Sequence, residues 1–73
     1  MDINIIKNID YHIINNTGNA AKIAKQMGIT ERCVYKYIKY MIVDLQAPII
    51  YDRIHKRYIY LQKGKLIIKY IIE

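Results

Sequence analysis

Between Glu31 and Leu45 the apolar residues Val34, Tyr37, Ile38, Met41, Ile42 and Leu45 follow one another at intervals of 3, 1, 3, 1 and 3. A helix turns by about 100° per residue, so these side chains fall on one stripe. Arg32, Lys36 and Lys39 fall opposite it, flanked by Tyr35 and Tyr40. The segment is therefore expected to be a helix that is apolar on one side and cationic and aromatic on the other. Thr30 is placed to cap its start, and Ala47-Pro48 to end it, since proline disfavours helix in the residue before it. A helix of this kind must find apolar partners, which the rest of the chain has to supply.

Two more helical segments precede it. From Asp2 to about Asn15, Ile6, Ile9 and Ile13 recur at helical spacing beside Ile3 and Ile5, with Asp2 as N-cap. Asn15-Asn16-Thr17-Gly18 breaks this pattern. Asn19 then caps a short helix, Ala20 to Met27, whose apolar face is Ala20, Ile23, Ala24 and Met27. Gly28 follows, able to take the positive φ of a sharp reversal. Ala24 is expected at the closest approach of the two helices and Ile29 beneath the turn.

After Pro48 the pattern changes to β-branched and aromatic runs, Ile49-Ile50-Tyr51 and Tyr58-Ile59-Tyr60-Leu61. The polar, basic stretch Asp52-Arg53-Ile54-His55-Lys56-Arg57 lies between them, so a two-stranded hairpin with a charged tip is expected. Of Tyr51, Tyr58 and Tyr60, two are expected to pack and one to face outward. The tail from Lys63 to Glu73 reads two ways. Lys65, Lys69 and Glu73 recur every four residues, the polar stripe of a helix, while its β-branched residues oppose one. Either form is apolar enough to require burial, against the core or against a second copy in a homodimer.

With 73 residues there is room for one domain and one small core, and no repeat or linker divides the chain. That leaves little chain for an enclosed catalytic pocket. Paired carboxylates, Ser–His arrangements and glycine-rich phosphate loops are missing, and serine is absent altogether. No enzyme activity, cofactor or small-molecule ligand is expected. His12 and His55 lack companion ligands, so no metal is expected. His12 is read as a partly buried polar residue, and Cys33 as buried or facing the backbone. A single cysteine fits a reducing cytoplasm, and no signal peptide, membrane span or membrane partner is read from the sequence.

Charge points to a partner. Twelve Lys and Arg against six Asp and Glu give a net charge of +6, which favours an anionic partner, nucleic acid first. Two helices joined through Met27-Gly28-Ile29-Thr30, the second with a basic outer face, make a helix-turn-helix arrangement. The run from Ala21 to Ile38 resembles the helix-turn-helix of DeoR-type and biotin-repressor-type transcription regulators. Pro48-Ile49-Ile50-Tyr51-Asp52-Arg53 through Tyr58-Ile59-Tyr60-Leu61 is similar to the wing of the same families. One departure is Arg57, where such wings often carry glycine before the aromatic residue.

The resemblance implies a mostly α winged helix-turn-helix, a three-helix core plus a wing, over residues 1–73. The helix-turn-helix would occupy about 20–45, the wing about 48–62 and the tail 63–73. It implies sequence-specific binding of double-stranded DNA by a small transcriptional regulator. Base-edge contacts are expected from Arg32 and Lys36. Tyr35 would touch phosphate, and Thr30 and Cys33 would lie near the backbone. From the residues themselves, Lys36 and Lys39 also suit phosphate, and Glu31 either accepts from a cytosine amine or favours the positive helix end. Arg53, Lys56 and Arg57 are expected to put positive charge on the hairpin loop, against flanking phosphates or a minor groove. A protein-interaction module on the same scaffold is the alternative, supported by the apolar tail.

Overall fold

The computed structural model describes residues 2–61. Three helices, α1 (Ile3–Ile14), α2 (Ala20–Met27) and α3 (Glu31–Val43), are followed by an antiparallel hairpin of β1 (Ile49–Asp52) and β2 (Arg57–Tyr60). Among the described residues the fold is thus mostly helical with one two-stranded sheet. The tail 63–73 lies outside the described residues, and so do its helix and strand readings and the dimer expected of it.

Each helix begins at a side-chain cap. Asp2 accepts from the Asn4 N–H at 2.9 Å, Asn19 from the Lys22 N–H at 3.0 Å, and Thr30 from the Cys33 N–H at 3.1 Å. These bonds satisfy amides that the first turn of a helix leaves open. Gly28 closes α2 with a left-handed φ of 71°, and the N–H groups of Gly28 and Ile29 both donate to the Ala24 carbonyl. That bend sets α3 against α2.

The apolar stripes meet in one core. Ile6, Ile9 and Ile13 of α1, Ala20, Ile23 and Ala24 of α2, and Val34, Tyr37, Ile38 and Met41 of α3 are buried, together with Ala47 and Ile49. Met27, Ile29, Cys33 and Leu45 are half-buried against this cluster. The Tyr37 ring is in the core, while its hydroxyl reaches the edge and accepts from the Asp2 N–H at 3.2 Å. His12 is half-buried, with its ring Nδ1 2.8 Å from the Thr17 hydroxyl.

Two expectations about α3 need correction. It ends at Val43, short of Leu45, because Gln46 adopts a left-handed φ of 55° and the Ala47 N–H turns back to the Met41 carbonyl at 2.9 Å. The reversal, rather than Pro48, stops the helix. Ile42 is 40% exposed instead of buried. A step of about 100° per residue puts it roughly 80° from Val34, at the margin of the stripe.

Register in the hairpin pairs Ile49 with Tyr60, Ile50 with Ile59, Tyr51 with Tyr58 and Asp52 with Arg57. Opposed residues share a face, so Ile49, Tyr51, Tyr58 and Tyr60 project together. Tyr58 and Tyr60 pack against the core and Tyr51 is exposed, two in and one out as expected. Leu61 lies beyond the strand and is exposed. The Tyr58 N–H donates to the Gly18 carbonyl at 3.1 Å, and the Tyr60 hydroxyl donates to the Asp10 carboxylate. Both bonds fasten β2 to α1 and the loop after it.

Candidate nucleic-acid interface

The outer side of α3 follows from its buried side. With Val34, Ile38 and Met41 inward, Arg32, Lys36 and Lys39 are all exposed. Among the described residues none of the three takes part in an ion pair. Such guanidinium and ammonium groups retain their full capacity for charge-assisted hydrogen bonds to an incoming anion. A shallow hollow of about 220 Å³ lies beside them, lined by Lys36, Lys39, Tyr40, Val43 and Asp44.

At the start of α3, Thr30 is exposed but its hydroxyl is occupied as the cap. Glu31 and Tyr35 are also exposed, one turn apart, and the Tyr35 hydroxyl donates to the Glu31 carboxylate at 3.3 Å. Loss of hydration first, then this bond and the nearby Glu31 and Tyr51 groups, hold the Tyr35 hydroxyl above its ordinary pKa. Tyr58 is raised as well, by burial first and then by Tyr35, Tyr51 and Glu31. The rings of Tyr51 and Tyr58 meet edge to face, with centroids 5.0 Å apart. The influence of Tyr51 on Tyr35 is the part that sequence reasoning did not foresee. The alternation of Tyr51 with Ile49 on one strand face was the available signal, but nothing local reports which helix a strand face meets.

At the hairpin tip Arg53, His55 and Lys56 are exposed. Arg57 departs from expectation: it is the first residue of β2, half-buried, and not a loop cation. Its Nε lies 4.0 Å from the Asp52 carboxylate, and among the described residues this buried nitrogen has no hydrogen-bond partner. The left-handed conformation of this turn falls one residue earlier, on Lys56, at φ 53°.

Asp52 organises this turn and was not singled out from the sequence. Its Oδ1 accepts from the Ile54 N–H at 3.0 Å and the His55 N–H at 3.3 Å, and its Oδ2 lies 2.7 Å from His55 Nδ1. An aspartate accepting from the amide two residues on is an Asx turn, so the Asp52-Arg53-Ile54 spacing carried the signal. The bond to His55 holds the Asp52 carboxyl below its ordinary pKa; loss of hydration opposes it, and the backbone bonds from His55 and Ile54 add to the lowering.

Among the described residues no three His, Cys, Asp or Glu side chains are grouped to hold a metal, and no helix is long and apolar enough to cross a membrane. Cys33 is half-buried at the first turn of α3. The site is thus a surface: three free cations on a helix, two tyrosines and a carboxylate beside them, and a hairpin tip carrying further charge. No family model, curated protein or solved structure matches the chain.

Proposed function

We propose that the protein binds double-stranded DNA in a sequence-specific way as a small transcriptional regulator of winged helix-turn-helix type. In this reading α3 enters the major groove and the hairpin acts as the wing, on flanking phosphates or a minor groove. The observation that carries it is the exposure of Arg32, Lys36 and Lys39 on one side of α3, without ion-pair partners among the described residues. An α-helix fits the major groove, and a capped helix start brings a positive dipole end to phosphate. Arg32 pairs with guanine through two hydrogen bonds, and Lys36 and Lys39 divide between base edge and phosphate. Glu31, bonded by Tyr35, either favours the positive end of α3 or accepts from a cytosine amine.

Titration of duplex binding against salt tests this. Six to ten phosphate contacts lower affinity by about 10³–10⁵ between 50 and 200 mM salt. Arg32→Ala is expected to abolish preference for a selected site, a loss of about 1–3 kcal/mol, while leaving affinity for random duplex nearly unchanged. Salt-insensitive binding, or equal loss on both duplexes, contradicts the assignment. A second reading, an assembly module on the same scaffold, is favoured by Ile42 and Val43, exposed by 40% and 62% at the end of α3. Sedimentation with and without duplex separates the two.

A further inference from the structure

Ile54 stands apart from every other large apolar side chain among the described residues. It is 86% exposed, against 66% for Leu61 and 62% for Val43. It occupies the tip of the hairpin, beyond the last ladder pair Asp52–Arg57, with Arg53 before it and His55 and Lys56 after it. Its exposure is imposed by the turn. Asp52 holds the Ile54 and His55 amides and the His55 ring, and Lys56 takes a left-handed φ of 53° to close the loop. A turn pinned at this many points keeps the isoleucine pointing off the molecule, where it cannot fold back to cover itself.

We infer that Ile54 is an apolar wedge for the minor groove of duplex DNA, entering between two base pairs and partly unstacking them, with Arg53 and Lys56 on the adjoining phosphates. This rests on the DNA-binding reading above and adds to it a bend in the bound duplex. Isoleucine is among the side chains suited to such insertion, and a slim β-branched chain fits a groove about 6 Å wide. The charge at the tip argues for the same occupant. Membrane attachment requires a broad buried apolar area, whereas the tip offers one apolar side chain among cations. A wedge needs only one. Because the energy of unstacking depends on the step, the insertion favours flexible pyrimidine–purine steps such as TA or CA at a position contacted by no polar side chain.

The experiment uses the full chain and a duplex labelled at both ends, with TA or a stiff A-tract at the expected insertion point. Energy transfer at saturation is expected to report a bend of about 20–90° for the protein, and the same for Ile54→Leu. Ile54→Ser is expected to leave the duplex straight and to lose the preference for TA, with the salt dependence of binding unchanged. Since Ile54 contacts solvent, neither variant disturbs the core. A straight duplex with the unaltered protein, or an equal bend with Ile54→Ser, overturns the wedge while leaving DNA binding intact. Salt-insensitive binding by all three proteins overturns the DNA reading itself, and the wedge with it. Ile54-dependent flotation with anionic vesicles in the absence of bending also overturns it, in favour of a lipid surface.

Discussion

Asn16, Gln46 and Lys56 hold positive φ values of 56°, 55° and 53°, a region that side chains other than glycine enter at a cost of about 1–2 kcal/mol. Each sits where the chain reverses, and asparagine is the one suited to it. Lys56 is not, and its conformation is retained because the Asp52 turn and the two strands determine the loop around it. Gly28 is the converse, a glycine at φ 71° where an added Cβ would meet nothing within 4 Å. Steric crowding is absent there, so only the backbone conformation resists substitution. Gly28→Ala is therefore expected to destabilise by about 1 kcal/mol, and Lys56→Gly to stabilise by up to about 1 kcal/mol, the gain being reduced by the extra freedom of glycine in the unfolded chain. Urea midpoints moving in opposite directions at unchanged slope is the expected result.

Between elements, the hairpin is held to α1 by the Tyr60–Asp10 bond, and this pair makes stability depend on pH. Burial raises the Asp10 carboxyl above 3.8, and the Tyr60 bond only partly offsets this. Tyr60 itself is raised strongly, by burial first and then by Asp10, so it stays a donor. A carboxyl raised in the folded state binds more protons folded than unfolded between those two values. Its contribution to stability consequently falls as pH rises through that window and is level above it. Asp10→Asn keeps an acceptor for Tyr60 without a buried charge. It is expected to raise the melting temperature at pH 7 and to lose that advantage as pH approaches 3.8. Tyr60→Phe is expected to cost about 1–3 kcal/mol at pH 7 by leaving the carboxylate unsatisfied, and less in acid. Asp52 has the opposite slope but is common to all three proteins, so differences between them isolate Asp10.

This pair also shows where the sequence was silent. The three helices, their Asp2, Asn19 and Thr30 caps and the strand pair were legible because periodicity and capping are local. Asp10 and Tyr60 are fifty positions apart, and no short pattern encodes a bond closed by tertiary packing. Ile42 was misread because a stripe defined by spacing has no sharp edge, and how far the neighbouring elements reach around α3 is decided by the fold.

For the whole molecule, the proposed DNA binding requires charge to act from two elements at once. Lys39 on α3 and Lys56 at the hairpin tip are both exposed, and no ion pair among the described residues involves either. If both elements meet one duplex, each lysine releases counterions from the same DNA. Every neutralised phosphate contributes a slope of about −0.9 in the logarithm of affinity against the logarithm of salt. Lys39→Ala and Lys56→Ala are each expected to reduce the slope by about 0.9, and the double variant by about 1.8 at unchanged stoichiometry. Losses in binding free energy should add, because residues on separate elements without shared partners are energetically independent. If α3 and the hairpin instead engaged different molecules, one lysine would leave the slope of the tighter site untouched and the stoichiometry would change when the other was removed. Fluorescence titration of all four proteins at three salt concentrations distinguishes these outcomes. Additivity would require the +6 chain to present the helix face and the hairpin tip as parts of a single binding surface.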